Sequence, residues 1–385
     1  PPSPRDALTC SPMRVVLLSK ALVVGAYHAK CALIAAHPDI DLTVLVPPLW
    51  RDNGVDRRLE PVATPGYRLE VLPIRRPGDF HLHHYPDLAA RLARLHPDLV
   101  HLDEEPYNLA TYLGLRAARR VGARAVFFTW QNLNRRYPFP FRAFERHAYR
   151  TAAGAIAGTP AAAAVLRAKG FGKPIWTIPQ FGVDIDVYRP SSAPAPPFAN
   201  PPHPLHIGFA GRLVPAKGVA DLIAAIAPLP PSVTLEIVGS GPAEADLRRQ
   251  AHAAGLADRV TFTPWLPSSA MPAFYQRIDA LVLPSRSTPR WIEQFGRVLT
   301  EAMACEAVAV GSDSGEIPHV IGDAGLVYPE GDVLALRSHL ARLANDPALR
   351  STLAAAGRQR VLAHFTMQAV ADATVAAWRA VVTSA

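Results

Sequence analysis

An alternation that runs twice along the chain constrains its fold more than any other feature. Short β-branched runs alternate with Ala-, Leu- and Arg-rich helical stretches, which is the pattern of a parallel sheet with crossover helices. In the first half the predicted strands are Arg14–Leu18, Leu42–Val46, Arg68–Val71, Leu99–Leu102, Ala125–Thr129, Ala155–Ala157 and Ile175–Ile178. The stretch Pro190–Pro204 then carries seven prolines in fifteen residues. Proline fixes φ and donates no hydrogen bond, so this stretch predicts a stiff linker. The alternation restarts with His206–Ala210, Thr234–Val238, Val260–Phe262, Ala280–Leu283 and Ala307–Val310. From about Thr366 to Ala385, Val370, Val375, Trp378 and Val381 mark an amphipathic helix.

A chain of 385 residues is long for one core and suits two domains. The predicted layout is a disordered leader at 1–12, a first domain at 13–189, the linker at 190–204, a second domain at 205–365 and the closing helix at 366–385. Ligands bind outside the carboxyl ends of parallel strands, so two such domains predict a cleft between them. The formal charge of +8 implies attraction for anions such as nucleotide phosphates or lipid headgroups. The arginines stand singly or in pairs without interleaved aromatics, which argues against nucleic acid as a partner. Three cysteines far apart (Cys10, Cys31, Cys305), none in a CxxC, fit reduced thiols in a cytoplasmic protein. Lys20, His28 and Lys30 interrupt the apolar run Val15–Ala36, so it reads as a strand and helix and not as a membrane span.

The chemistry concentrates in the second half. Arg290-Trp-Ile-Glu293-Gln-Phe295-Gly296-Arg297-Val298-Leu-Thr-Glu301 follows a buried strand and leads into a helix that runs to about Cys305. A helix start offers unpaired N–H groups and partial positive charge, which suit a phosphate. If all eight steps were helical, the two carboxylates would stand ~12 Å apart along the axis, too far to share a proton and placed to grip two parts of a long ligand. Gly208-Phe-Ala-Gly211-Arg212-Leu-Val-Pro-Ala-Lys217-Gly218 ends a strand in a loop with two cations, the charge a diphosphate requires.

Glu293 and Glu301, seven residues apart around Phe295-Gly296, resemble the E-x7-E motif of the family 4 retaining glycosyltransferases, and Gly211 to Gly218 resembles that family's G-R-L-x-x-x-K-G segment. Glu236-Ile-Val-Gly239-Ser-Gly-Pro242, the loop Phe262–Leu266, Gly182-Val-Asp184-x-x-x-Tyr188 and Gly311–Pro318 resemble further family turns. The second half is thus the specific match; the first half matches in order and spacing. The resemblance implies a GT-B fold, two Rossmann-like domains facing across a cleft, with a C-terminal helix crossing back to the first domain. It implies a nucleotide diphosphate sugar as donor, with neither cofactor nor metal. Glu301 would take the donor ribose, Glu293 the transferred sugar, and Phe295 to Val298 (with Gly296 and Arg297) the phosphate. Arg212 and Lys217 would hold the diphosphate, with Gly211, Gly239 and Leu266 lining the nucleotide. Arg212, Lys217 and Glu293 are the catalytic candidates.

Many relatives carry a histidine near the sugar where this chain has Phe127-Phe-Thr129-Trp130-Gln131-Asn132. Trp130, Gln131 and Asn132, with Gly25 and the strand-end pair Glu104 and Glu105, are the candidates on the acceptor or sugar side. The acceptor would be a carbohydrate or a lipid-linked molecule, and the basic, aromatic first-domain loops (Pro47–Pro65, Ile74–Asp87, Arg135–Pro140) are compatible with peripheral seating on the inner membrane face. Two D-x-D strings, Asp39-Ile-Asp41 and Asp184-Ile-Asp186, border a strand and a turn and do not read as metal sites. His81, His83 and His84 read as a solvated loop. Neither a dinucleotide fingerprint nor a G-x-S-x-G elbow is present. Two alternatives stay open: a nucleotide-sugar epimerase of the same fold, and a catalytically idle scaffold.

Overall fold

The computed structural model describes residues 11–52, 55–191 and 204–383. The expected leader up to residue 10, most of the expected linker and Cys10 lie outside the described residues. Two compact units result: residues 1–182 with 367–385, and residues 183–366.

The first unit is built on a seven-stranded sheet with every pairing parallel. In spatial order the strands are Arg68–Val71, Ile40–Val46, Met13–Leu18, Leu99–Leu102, Arg124–Thr129, Gly154–Ala157 and Ile175–Thr177. The central strands are buried on both faces, which is why they read as unbroken apolar runs. The expected loop Pro47–Pro65 is corrected in part: Leu49–Asp52 and Val55–Arg58 pair antiparallel. The last helix, Met367–Thr383, belongs to this unit. Trp378 is fully buried in it and donates from Nε1 to His101 Nδ1 at 3.3 Å, while Arg124 Nη1 donates to the Val381 carbonyl at 2.7 Å.

The second unit carries six parallel strands in the order Val260–Thr263, Val233–Val238, Leu205–Ala210, Ala280–Leu283, Val308–Ser312 and Gly325–Tyr328. Numbered along the chain this is 3-2-1-4-5-6, the order of a doubly wound nucleotide fold. The first unit shows the same order with a seventh strand added. Each sheet reverses direction of growth between its first and fourth strands, and the crevice outside the carboxyl ends at that switch point is where such sheets bind ligands. The Val183 N–H donates to the Phe365 carbonyl at 2.7 Å, so the segments entering and leaving the second unit run side by side. Among the described residues, no helix is long and apolar enough to cross a membrane.

Candidate active site

In the second unit the switch-point strands are Leu205–Ala210 and Ala280–Leu283. The first delivers Gly211 and Arg212, then a 3-10 turn, Pro215–Lys217. Gly218 ends that turn at φ +67°, and a Cβ there would fall 1.8 Å from the Pro284 carbonyl. Only glycine permits this approach, and it is what brings Lys217 beside the loop leaving the second strand. Lys217 Nζ lies 2.6 Å from Glu293 Oε2 and 4.8 Å from the centre of the Trp291 ring. Ser285, fully buried, donates from Oγ to the same carboxylate oxygen at 2.8 Å. From below, Gly315 at φ +56° presses against the Glu293 backbone, where a Cβ would sit 2.1 Å from its carbonyl oxygen. Three loops, each from a different strand end, therefore fix Glu293.

Gly296, at φ +77°, is the N-cap of the helix Arg297–Ala304, which opens a turn before Glu301. Glu301 is buried, with the Tyr275 hydroxyl donating to Oε2 at 2.8 Å and Arg297 Nε 3.0 Å from Oε1. Burial raises its carboxyl above the ordinary range, against the opposing pull of Arg297 and Tyr275. Phe295 and Val298 pack against the unit's core, as does Leu266. Gly239 lies against Gly211, backbone on backbone. Arg212 is exposed, and the structure gives it no carboxylate partner among the described residues. The structure thus joins Lys217 to Glu293 and Arg297 to Glu301 as two separate pairs. Sequence reasoning missed Ser285, Tyr275 and Trp291. Ser285 was findable as the second residue past a predicted central strand; the other two carry no pattern.

In the first unit the switch-point strands Met13–Leu18 and Leu99–Leu102 release Ser19-Lys20 and Asp103-Glu104-Glu105. Ser19 Oγ donates to Asp103 Oδ2 at 2.5 Å, and Gln180 Nε2 donates to the same oxygen at 2.8 Å. The Glu104 side chain is wholly buried. It is ion-paired to Lys20, lies 3.1 Å from His83 Nε2 and accepts from Tyr85 at 3.3 Å and Asn108 at 3.4 Å. Burial alone would raise this carboxyl, but Lys20 and His83 overcome it and hold it at about 2. The reading of residues 81–84 as a solvated loop is corrected. His83 is fully buried because Glu104 offers a charged partner inside, and His81 packs on the rings of Tyr107 and Phe141.

Glu105 behaves differently. The Thr129 hydroxyl donates to it at 2.6 Å and the Trp130 backbone N–H at 2.8 Å. Burial outweighs both and pushes its carboxyl up to about 7. Trp130 Nε1 donates to Gln180 Oε1 at 3.0 Å; Gln131 is buried with Nε2 3.3 Å from the Tyr137 hydroxyl, and Asn132 follows it, partly buried. Gly25 lies in a 3-10 turn, its N–H donating to Glu60 Oε2 at 2.6 Å. Asp39 pairs with Arg379 at 2.6 Å, Asp41 with Arg68 at 2.8 Å, and Asp184 Oδ1 accepts from the Asp186 N–H at 3.0 Å.

Two family descriptions match. Residues 25–179 match "Glycosyl transferase 4-like domain" and residues 196–360 match "Glycosyl transferases group 1". The 2-deoxystreptamine glucosyltransferase of Streptomyces kanamyceticus is 30% identical over 72% of this chain and 75% of its own length. The chain belongs to the family 4 glycosyltransferases. A GDP-mannose-dependent phosphatidylinositol monomannoside mannosyltransferase of Mycolicibacterium smegmatis is 35% identical over 39% of the chain, a match that spans 41% of that relative's length. A 2-deoxystreptamine N-acetyl-D-glucosaminyltransferase of Streptomyces fradiae is matched over 36% of its length. Among solved structures, sucrose-phosphate synthase from Thermosynechococcus elongatus superposes with a TM-score of 0.70 at 20% identity, covering 97% of this chain and all of that one. Anabaena HepE in complex with UDP gives 0.70 at 19% identity over 96% of this chain and all of its own. The fold is therefore the GT-B fold of this glycosyltransferase family.

Proposed function

We propose that this chain is a retaining glycosyltransferase that moves a hexose-type sugar from a nucleotide diphosphate donor to a hydroxyl acceptor. The reading is carried by one observation: Lys217 and Glu293, from two different strand ends at the switch point of a nucleotide-type sheet, meet at 2.6 Å, and Glu301 stands at the helix that begins just beyond. The donor diphosphate would lie against Arg212, Lys217 and the helix start after Gly296, with Glu293 at the sugar and Glu301 on the ribose. The bond from the sugar's anomeric carbon to the phosphate oxygen breaks while the bond to the acceptor oxygen forms on the same face. The departing phosphate takes the acceptor's proton, so these residues act by stabilising charge and by positioning, without a metal. Relatives carry names with GDP-mannose and with UDP, which supports a nucleotide sugar as donor. A carbohydrate, or a lipid-linked acceptor met at an inner membrane face, suits the same reading, the latter supported by the phosphatidylinositol-based name of one relative.

The test is a thermal-shift screen against a panel of nucleotide sugars, followed by incubation of the stabilising donor with candidate acceptors. Binding stabilises by RT ln(1 + [L]/Kd), so the true donor separates from the rest. Transfer with retained anomeric configuration supports the proposal. Conversion of the donor to its epimer without an acceptor replaces it with the isomerase, and absence of any nucleotide binding replaces it with the scaffold.

A further inference from the structure

The stretch 109–153 contains nine arginines and a single carboxylate, Glu145. That carboxylate is buried and paired with Lys169 at 2.6 Å, so it neutralises none of them. Two helices of the first unit, Leu109–Arg120 and Phe141–Thr151, carry Arg116, Arg119 and Arg120 on one and Arg150 on the other. Between their last turns lies a cavity of ≈ 490 Å³, open to solvent and lined by Arg119, Arg124, Arg150, Thr151, Leu115 and Gly122. Arg119 and Arg150 are exposed and have no carboxylate partner among the described residues. Arg124 borders the cavity, but its side chain leaves the other face of the sheet, where Nη1 donates to the Val381 carbonyl at 2.7 Å. Two exposed arginines, Arg119 and Arg150, thus line one concave surface, and neither has a carboxylate partner among the described residues.

The electrostatics agree. On the turn before Arg150, burial first and then the field of Arg150, Arg116 and Arg119 hold the His147 imidazole below its ordinary range. Like charges held close cost free energy unless an anion joins them. The cavity also stands at the amino ends of the sheet: Arg124 and Ala125 open one strand and Ala153 precedes the next, whereas Glu105, Trp130 and Gln131 leave the carboxyl ends. It is therefore a different place from the acceptor-side candidates.

We propose that this cavity is a second anion site, taking the phosphate group of a phosphorylated ligand through Arg119 and Arg150. The planar forks of arginine match phosphate oxygens bidentately, and the volume admits a phosphate together with the group it is attached to. The assignment does not depend on the donor chemistry of the second unit.

Isothermal calorimetry with inorganic pyrophosphate, run on the full chain, tests it. Wild-type protein is expected to show two classes of site. Arg119→Ala/Arg150→Ala removes one, with affinity falling by about tenfold or more per arginine, and Arg212→Ala/Lys217→Ala removes the other. Because Arg119 and Arg150 are exposed, the pair substitution leaves the melting temperature unchanged, and that is checked in parallel. Co-sedimentation with phosphatidylglycerol–phosphatidylcholine vesicles separates the sources. Pyrophosphate binding lost in Arg119→Ala/Arg150→Ala without vesicle binding by any form supports a soluble phosphorylated ligand. Vesicle binding by the wild type that the same pair abolishes supports a lipid phosphate. Identical pyrophosphate and vesicle behaviour of wild type and Arg119→Ala/Arg150→Ala overturns the site. Loss of the donor class alone bears on the glycosyltransferase reading and leaves this one standing.

Discussion

Arg212 and Lys217 carry the same charge but stand in different surroundings, and their variants are expected to differ accordingly. Either substitution by alanine lowers kcat by roughly 10²–10³, as loss of one donor aimed at developing charge does. Arg212 is exposed without a carboxylate partner, so Arg212→Ala leaves stability within about 0.5 kcal/mol of the parent. Lys217→Ala strands the buried Glu293 carboxylate and costs about 1–3 kcal/mol; adding Glu293→Gln restores the melting temperature but not the rate. Denaturant melts and steady-state rates of these variants check both halves. Glu105 offers a pH test. Its folded-state pKa of about 7 lies above its ordinary 4.5, so between those values the native protein holds the extra proton. The stability this contributes is fully present below about 4.5 and is lost as pH rises through 7. Glu105→Gln is therefore expected to gain melting temperature relative to wild type from pH 5 to pH 8; a constant difference across that range would remove the shifted carboxyl from consideration. Glu293, Glu301, Arg212 and Lys217 were legible because they fall at fixed spacings beside glycine. Tyr275 and His83 were not, because a lone tyrosine or loop histidine gains meaning only from what folds beside it.

Elements were most legible where both faces of a strand are buried. Ala280–Leu283, Leu99–Leu102 and Gly154–Ala157 fall where their apolar runs stand. Gly325–Tyr328 went unseen because it is a sheet-edge strand, half-buried over three of its four residues. Val55–Arg58 went unseen because all four residues are exposed and three are charged, a composition that reads as loop until Leu49–Asp52 pairs with it. Loop packing is where a single methyl group should be felt. Gly315→Ala places a Cβ 2.1 Å from the Glu293 carbonyl oxygen at a positive φ, so the Glu293 loop has to move. The expected result is about 1–3 kcal/mol of lost stability together with a lower kcat, read by calorimetry and a transfer assay on the same preparation. A variant with parental kcat would mean that the position of this loop does not govern turnover.

On the scale of the whole molecule, the double alternation announced two parallel sheets, and the topology delivers them with one shared strand order, beside a small antiparallel pair. What the periodicity left unsaid is that the first unit is discontinuous. Its core includes Trp378 and Val381 from the far end of the chain, fully or nearly fully buried. Trp378→Ala removes a buried indole and is expected to cost about 3–5 kcal/mol, lowering the calorimetric transition of the first unit and sparing that of the second. Equal displacement of both transitions would show that the two melt as one. During synthesis this arrangement inverts the usual sequence of events. The ribosome makes residues 13–182 before the second unit, yet their core lacks its closing helix until residues 367–383 emerge, by which time the intervening unit has its full complement of strands. Of the two lobes, the one translated first is thus the one whose core is completed last.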